Sequence, residues 1–146
     1  MHYDFNKDIE LGNEGEKVVL NDLISMGAEV VIGSNDNNAY DFAISHKGKI
    51  LYYECKTDFY KDTGNLFVEV KCRGKESGLN VTKADWFATY FKSTNEIWYI
   101  KVDELKELVA RFTHRKTENS GDKGSKTEGY LINKTIFSNY FIIRKV

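Results

Sequence analysis

The sequence predicts a mixed α/β fold, a central mixed sheet with flanking helices, on three observations. An early segment repeats its apolar residues at helical spacing. Several short runs alternate or stay apolar over strand length, and the two kinds of pattern interleave along the chain. At 146 residues the chain fits one domain, 1–146, with a single ordinary core.

Asn13 to Met26 reads as the first helix, with Val18, Val19, Leu23 and Ile24 on its apolar stripe and Gly27 as its stop. Val30, Val31 and Ile32 suggest a short strand, followed by the polar loop from Gly33 to Asn38. Further strands are expected at about Tyr40–Ile44, Lys49–Lys56 and Leu66–Cys72. Thr82, with Asp85 three residues on, has the form of a capping box and predicts a helix to about Phe91. Glu96 to Val102 reads as a buried strand, and Asp103 is expected to cap a helix to about Phe112. Residues 113–129 lack apolar periodicity and predict a mobile basic loop. Strands near Tyr130–Ile132 and Tyr140–Ile143 close the chain.

A net charge of -1 leaves a nucleic-acid partner open, because distribution matters more than the total. Acidic residues crowd the first third, while the stretches around 71–83 and 111–126 are basic. Cys55 and Cys72 match no metal-ligand spacing and point to buried, reduced thiols in a cytoplasmic protein. No apolar run approaches the ~20 residues that span a bilayer, and Met1-His2-Tyr3-Asp4 starts no signal peptide. No membrane association is expected. His2, His46 and His114 are scattered, which suggests no zinc or histidine-based chemistry.

The informative stretch runs from Tyr40-Asp41-Phe42-Ala43-Ile44 through Lys47-Gly48 to Tyr53-Glu54-Cys55-Lys56. With Lys47-Gly48 as a two-residue hairpin turn, Ile44 pairs with Leu51 and Phe42 with Tyr53. The same register sets Asp41 across from Glu54. Alternation puts Glu54 and Lys56 on the face of Asp41, and sends Phe42, Ile44, Leu51, Tyr53 and Cys55 into core. Two opposed carboxylates on one sheet face repel. A divalent cation removes that conflict, and Mg2+ favours one or two carboxylates with waters and phosphate oxygens. Lys56 beside it could orient or deprotonate a water and offset charge on an attacked phosphate. That chemistry is phosphodiester hydrolysis. The structural alternative is an exposed, salt-bridged strand face.

These residues resemble the PD-(D/E)xK nuclease superfamily, whose motif is an acid, a hairpin, then acid-x-Lys. The resemblance covers roughly residues 12–72 and departs at Tyr40, where many members have proline. It implies a restriction-endonuclease-like core, Asp41, Glu54 and Lys56 as catalytic residues, and Mg2+ held by Asp41, Glu54 and the main-chain carbonyl of Cys55, with Mn2+ as a substitute. Resolvase-like members add a glutamate on the first helix in a pattern like Gly-x-x-x-Glu, which Gly12 and Glu16 fit. Glu16 also reads as the acid of a capping box with Asn13, and Glu14 competes for the catalytic place. The resemblance further implies DNA as partner and a homodimer able to reach both strands. Phage- and mobile-element-type members resemble the stretch from Thr63 through Ser77-Gly78-Leu79 to Trp86, consistent with action inside a host cell.

Two features compete or extend. Glu69-Val70-Lys71 is a second acid-x-Lys that Asp58 could complete, although no symmetric hairpin places Asp58 opposite Glu69; Glu69 reads instead as a neighbour of the pocket. Arg73-Gly74-Lys75-Glu76-Ser77 running to Thr82-Lys83 is a glycine-rich basic loop entering the expected helix. Arg73, Lys75, Ser77, Thr82 and Lys83 there suit a DNA phosphate, or form a merely solvated loop. Trp86, Phe87 and Tyr90 read as core. The expectation is a metal-dependent endodeoxyribonuclease, a Holliday-junction resolvase or a nicking or degrading enzyme. The alternative is a catalytically inactive DNA-binding module that keeps the fold.

Overall fold

The computed structural model describes residues 14–33, 39–117 and 126–146. Gly12, Asn13, most of the polar loop after Gly33 and residues 118–125 of the expected mobile loop lie outside the described residues.

Helix α1 spans Glu14–Ser25, with Val19, Leu20 and Leu23 buried on its apolar stripe. Gly27 ends it at φ 98, where the Ala28 N–H reaches back to the Leu23 carbonyl at 3.0 Å. Strands β1 (Glu29–Ile32), β2 (Phe42–His46) and β3 (Lys49–Asp58) follow. The β2–β3 hairpin has the expected register, Phe42 against Tyr53 and Ile44 against Leu51. Its turn residues Lys47 and Gly48 have φ 50 and 78, the two left-handed positions that match the strand twist. β4 (Asn65–Cys72) and β5 (Lys75–Glu76) form a second hairpin, and a short 3-10 turn covers Gly78–Asn80. The chain continues through β6 (Trp86–Phe91), β7 (Glu96–Lys101), α2 (Val102–Arg111), β8 (Arg115–Thr117), β9 (Thr127–Asn133), the short α3 (Lys134–Phe137) and β10 (Ile142–Lys145).

Two sheets result: six strands in the order β1-β2-β3-β6-β7-β10, and four in the order β5-β4-β9-β8. The larger is mixed, since β3 and β6 run parallel and its other pairs antiparallel. One face of it packs on α1 through Phe42, Tyr53, Cys55, Ala88, Tyr90, Ile97 and Tyr99. The opposite face packs on α2 and the second sheet through Phe87, Phe91, Ile100, Leu105, Leu66, Val68 and Ile132. Buried Asp22 of α1 accepts from the Tyr99 hydroxyl at 2.7 Å and from Arg144 Nη2 at 2.9 Å. This pins α1 across the sheet and sets where its first turn lies.

The structure corrects four expectations. The helix expected from Thr82 to Phe91 is a loop followed by strand β6. β6 is central and buried on both faces, so it shows no alternation, and Trp86, Phe87 and Tyr90 imitate a helical stripe. Asp103 does not cap α2: Lys101 holds the N-cap position without a side-chain bond, and Asp103 sits in the first turn, where its charge suits the helix dipole. The segment 113–129 is not wholly loop, because β8 and the start of β9 pair at its ends. Cys55 is buried as expected, whereas Cys72 is half-buried.

Candidate active site

The site lies where β2 stops and β3 continues. The Asp41 N–H donates to the Tyr53 carbonyl at 2.8 Å, next to the outermost register pair of Phe42 with Tyr53, and Asp41 lies within the field of Glu54. Asp41 Oδ2 accepts from the Cys55 N–H at 2.7 Å. A strand residue's N–H and C=O point to the same edge. The Cys55 carbonyl therefore also opens toward Asp41, beyond the end of β2. The Cys55 thiol points the other way, into the α1 core.

Glu54 is held from two sides. Its Oε1 accepts from the Thr82 hydroxyl at 3.1 Å, and its Oε2 lies 3.9 Å from Lys56 Nζ. The Glu54 side chain is only 12% exposed while that of Lys56 is 39% exposed, so the ammonium reaches toward solvent above a sunken carboxylate. Glu16, in the first turn of α1, is 5% exposed and adds its field to Asp41, Glu54 and Cys55. Glu14 instead pairs with Lys92 at 3.1 Å, out on the rim. Of the two helix glutamates, Glu16 is the one that joins the cluster.

Burial, then the charge of Glu54, pushes the Asp41 carboxyl up to about 7, against the lowering effect of the Cys55 N–H. Burial likewise raises Glu54, with Lys56 and Thr82 opposing and Glu16 and Glu69 adding to the rise. Burial and the surrounding carboxylates push the Cys55 thiol well above its ordinary range, which leaves it an inert core group. The site thus carries more negative charge than its own lysine offsets.

The remaining sequence expectations separate in space. Glu69 is close enough to raise Glu54 but belongs to the second sheet, where it lies across from Gly129, and Asp58 ends β3 of the first sheet, so Asp58 does not stand opposite Glu69. Arg73 and Gly74 form the tight β4–β5 turn at φ 53 and 79, leaving Arg73 and Lys75 exposed at its tip. The helix N-terminus that was to present Ser77 and Thr82 to a phosphate is absent. The Ser77 hydroxyl is buried, and Thr82 faces Glu54 and the Ala39 carbonyl. A threonine that caps a helix and one that braces a carboxylate look alike in sequence, so this role had no local signal. Lys83 is exposed on a polar cleft of about 560 Å³ that Lys101 and Lys106 also line, two cations the sequence did not single out.

The family model for PD-(D/E)XK endonuclease matches residues 7–129. The chain belongs to the PD-(D/E)XK endonuclease family. Enzymes of this family generally use divalent metals. Its six-stranded mixed sheet, with α1 on one face, carries Glu54 and Lys56 on β3. A solved structure of a bacterial homing endonuclease is similar at 19% identity and a TM-score of 0.49, covering 66% of this chain and 70% of its own. Comparison with curated proteins finds no match. Among the described residues no helix is long and apolar enough to cross a membrane.

Proposed function

We propose that this endonuclease is a Mg2+-dependent endodeoxyribonuclease that hydrolyses DNA phosphodiester bonds at Asp41, Glu54 and Lys56. The observation that carries the reading is the pair of sunken carboxylates, Asp41 and Glu54, with Asp41 pushed up to about 7 in their shared field. Such a pair is costly unless a cation meets it.

The donor set fits Mg2+. Asp41, Glu54 and the Cys55 carbonyl would hold it with hard oxygens only, since the Cys55 sulfur faces the opposite core. Among the described residues no three His, Cys, Asp or Glu side chains close into a cage. Mg2+ does not need one, because it keeps several waters and takes substrate phosphate oxygens. When bound, the ion supplies charge neutralisation at the phosphate. Mn2+, with similar ligand preferences, would substitute.

The chain's own residues do the rest. Lys56 places an ammonium beside the attacked phosphate, orienting the water nucleophile and offsetting the charge that grows on the phosphoryl oxygens. Thr82 and Lys56 together hold the Glu54 carboxylate in one orientation. Glu16 adds an acid at the margin of the cluster, placed to assist proton transfer or a second ion. Arg73 and Lys75 at the hairpin tip, and Lys83 in its cleft, would position the DNA backbone. A homodimer would bring a second site to the other strand.

The test is cleavage of supercoiled plasmid, single-stranded and branched DNA with Mg2+, with Mn2+ and with EDTA. Metal-dependent cutting that Glu54→Gln abolishes supports the reading. DNA binding without cutting under any metal would make the chain an inactive binding module instead.

A further inference from the structure

We propose that Phe59 and Tyr60 form a stacking platform for unpaired nucleobases beside the cleavage site, an inference that rests on the nuclease reading and narrows its substrate class. The two residues are consecutive in the loop that leaves β3, three and four residues after Lys56. At ~3.3 Å per residue that places them on the order of 10 Å from the lysine, a span of two or three nucleotides. Phe59 is 55% and Tyr60 60% exposed. A single exposed aromatic residue is ordinary; two in sequence on a tethered loop form an apolar patch held out in water.

The tether is specific. Asp58 Oδ1 accepts from the Tyr60 N–H at 2.9 Å, and the Asp58 carbonyl accepts from the Lys92 N–H at 3.0 Å. At the far end Asp62 Oδ1 accepts from the Gly64 N–H at 2.9 Å, and the Gly64 carbonyl accepts from the Lys134 N–H at 2.9 Å. Lys134 is itself buried, its Nζ 3.8 Å above the Phe91 ring, 5.1 Å from that of Trp98 and 3.4 Å from Asp62. Both feet of the loop are fixed to core elements. Asp58 and Asp62 each accept a backbone N–H of their own loop, and Asp62 also pairs with Lys134.

Charge identifies the occupant. Lys92 Nζ lies 5.7 Å from the Phe59 ring centroid and bridges to Glu14, two residues before Glu16, so the rings border the same rim as the acidic cluster. Lys61 is exposed beside them. Aromatic faces interleaved with ammonium groups suit a nucleic-acid strand whose bases are free to stack, with phosphates on the lysines. In a continuous B-form duplex the base faces are already stacked on each other. The platform therefore selects DNA with unpaired bases near the cut, single-stranded, gapped or branched.

The experiment measures binding, with Ca2+ in place of Mg2+, of a fluorescent single strand and of a duplex of the same sequence. The wild type is compared with a Phe59→Ala, Tyr60→Ala double variant. Stacking on alanine-scale measures predicts a loss of roughly tenfold or more on the single strand and less than about threefold on the duplex. A 2-aminopurine placed two nucleotides from the cut should be quenched by the wild type and not by the variant. Equal losses on both DNAs, or no loss on the single strand, would overturn the platform and point to a protein-contact loop. The quenching needs no variant, so its absence overturns the platform even if the double variant misfolds. Wild-type protein that binds no DNA of any form defeats the nuclease reading as well; binding insensitive to the two rings defeats the platform alone.

Discussion

The Thr82 hydroxyl meets Glu54 Oε1 at 3.1 Å, joining the loop before β6 to the middle of β3. Thr82 favours the charged form of Glu54, so its removal raises the Glu54 pKa further. Thr82→Val keeps the volume and deletes the donor. The acidic limb of its pH–rate profile should move to higher pH, with activity at pH 6 down roughly two- to tenfold for one lost hydrogen bond. Thr82→Ser should restore the profile. Superimposable wild-type and Thr82→Val profiles would show that the contact does not tune Glu54.

Asp41 makes the metal-free protein sensitive to pH in the direction opposite to an ordinary paired carboxylate. Its pKa rises from 3.8 to about 7 on folding. Between those values the folded chain keeps a proton that the unfolded chain has released. The stability Asp41 contributes is therefore complete below 3.8 and lost as pH rises through about 7. In EDTA, the melting temperature of wild type should fall relative to Asp41→Asn from pH 4 to pH 8, and Mg2+ should reverse the fall. A gap between the two proteins that stays constant over this range contradicts the assignment.

Asp41→Ala and Glu54→Ala should each abolish cleavage while leaving a folded protein, because each relieves the mutual repulsion of the acids. Circular dichroism and a cleavage assay on the same preparation check both halves. Loss of the fold, or full activity without either acid, would remove them from the catalytic role.

Lys56→Ala should lower turnover by about a hundredfold or more while DNA affinity changes little, since the ammonium acts mainly on charge that develops in the transition state. Lys71→Ala is the control. It lies on β4 of the second sheet, and its loss should leave turnover near wild type. Reversal of the two results would identify Glu69-Val70-Lys71 as the working motif.

The hairpin-tip cations report on DNA binding through salt. Each phosphate contact releases condensed counterions, so Arg73→Ala with Lys75→Ala should flatten the plot of log affinity against log salt by ~0.9 per lost contact on duplex DNA. Lys83→Ala should act independently, because it sits in the cleft with Lys101 and Lys106 rather than on the hairpin. Unchanged slopes would mean that both surfaces are only solvated.

The sequence by itself determined the α1 helix, the β2–β3 hairpin and the position of Glu54 and Lys56 two residues apart on β3. Those features depend on short-range rules: a helical stripe ending at Gly27, two left-handed turn residues at Lys47-Gly48, and strand alternation that splits Glu54 and Lys56 from Tyr53 and Cys55. Only the tertiary structure decided that Trp86–Phe91 is a strand, since burial on both faces erases the alternation that would reveal it. Only the tertiary structure brought Thr82 to Glu54, 28 residues apart in sequence, and turned Glu16 rather than Glu14 into the cluster through the Asp22–Arg144 anchor on α1. The pKa of Asp41 belongs to the same class, because desolvation depends on what covers a group in three dimensions and not on its neighbours along the chain.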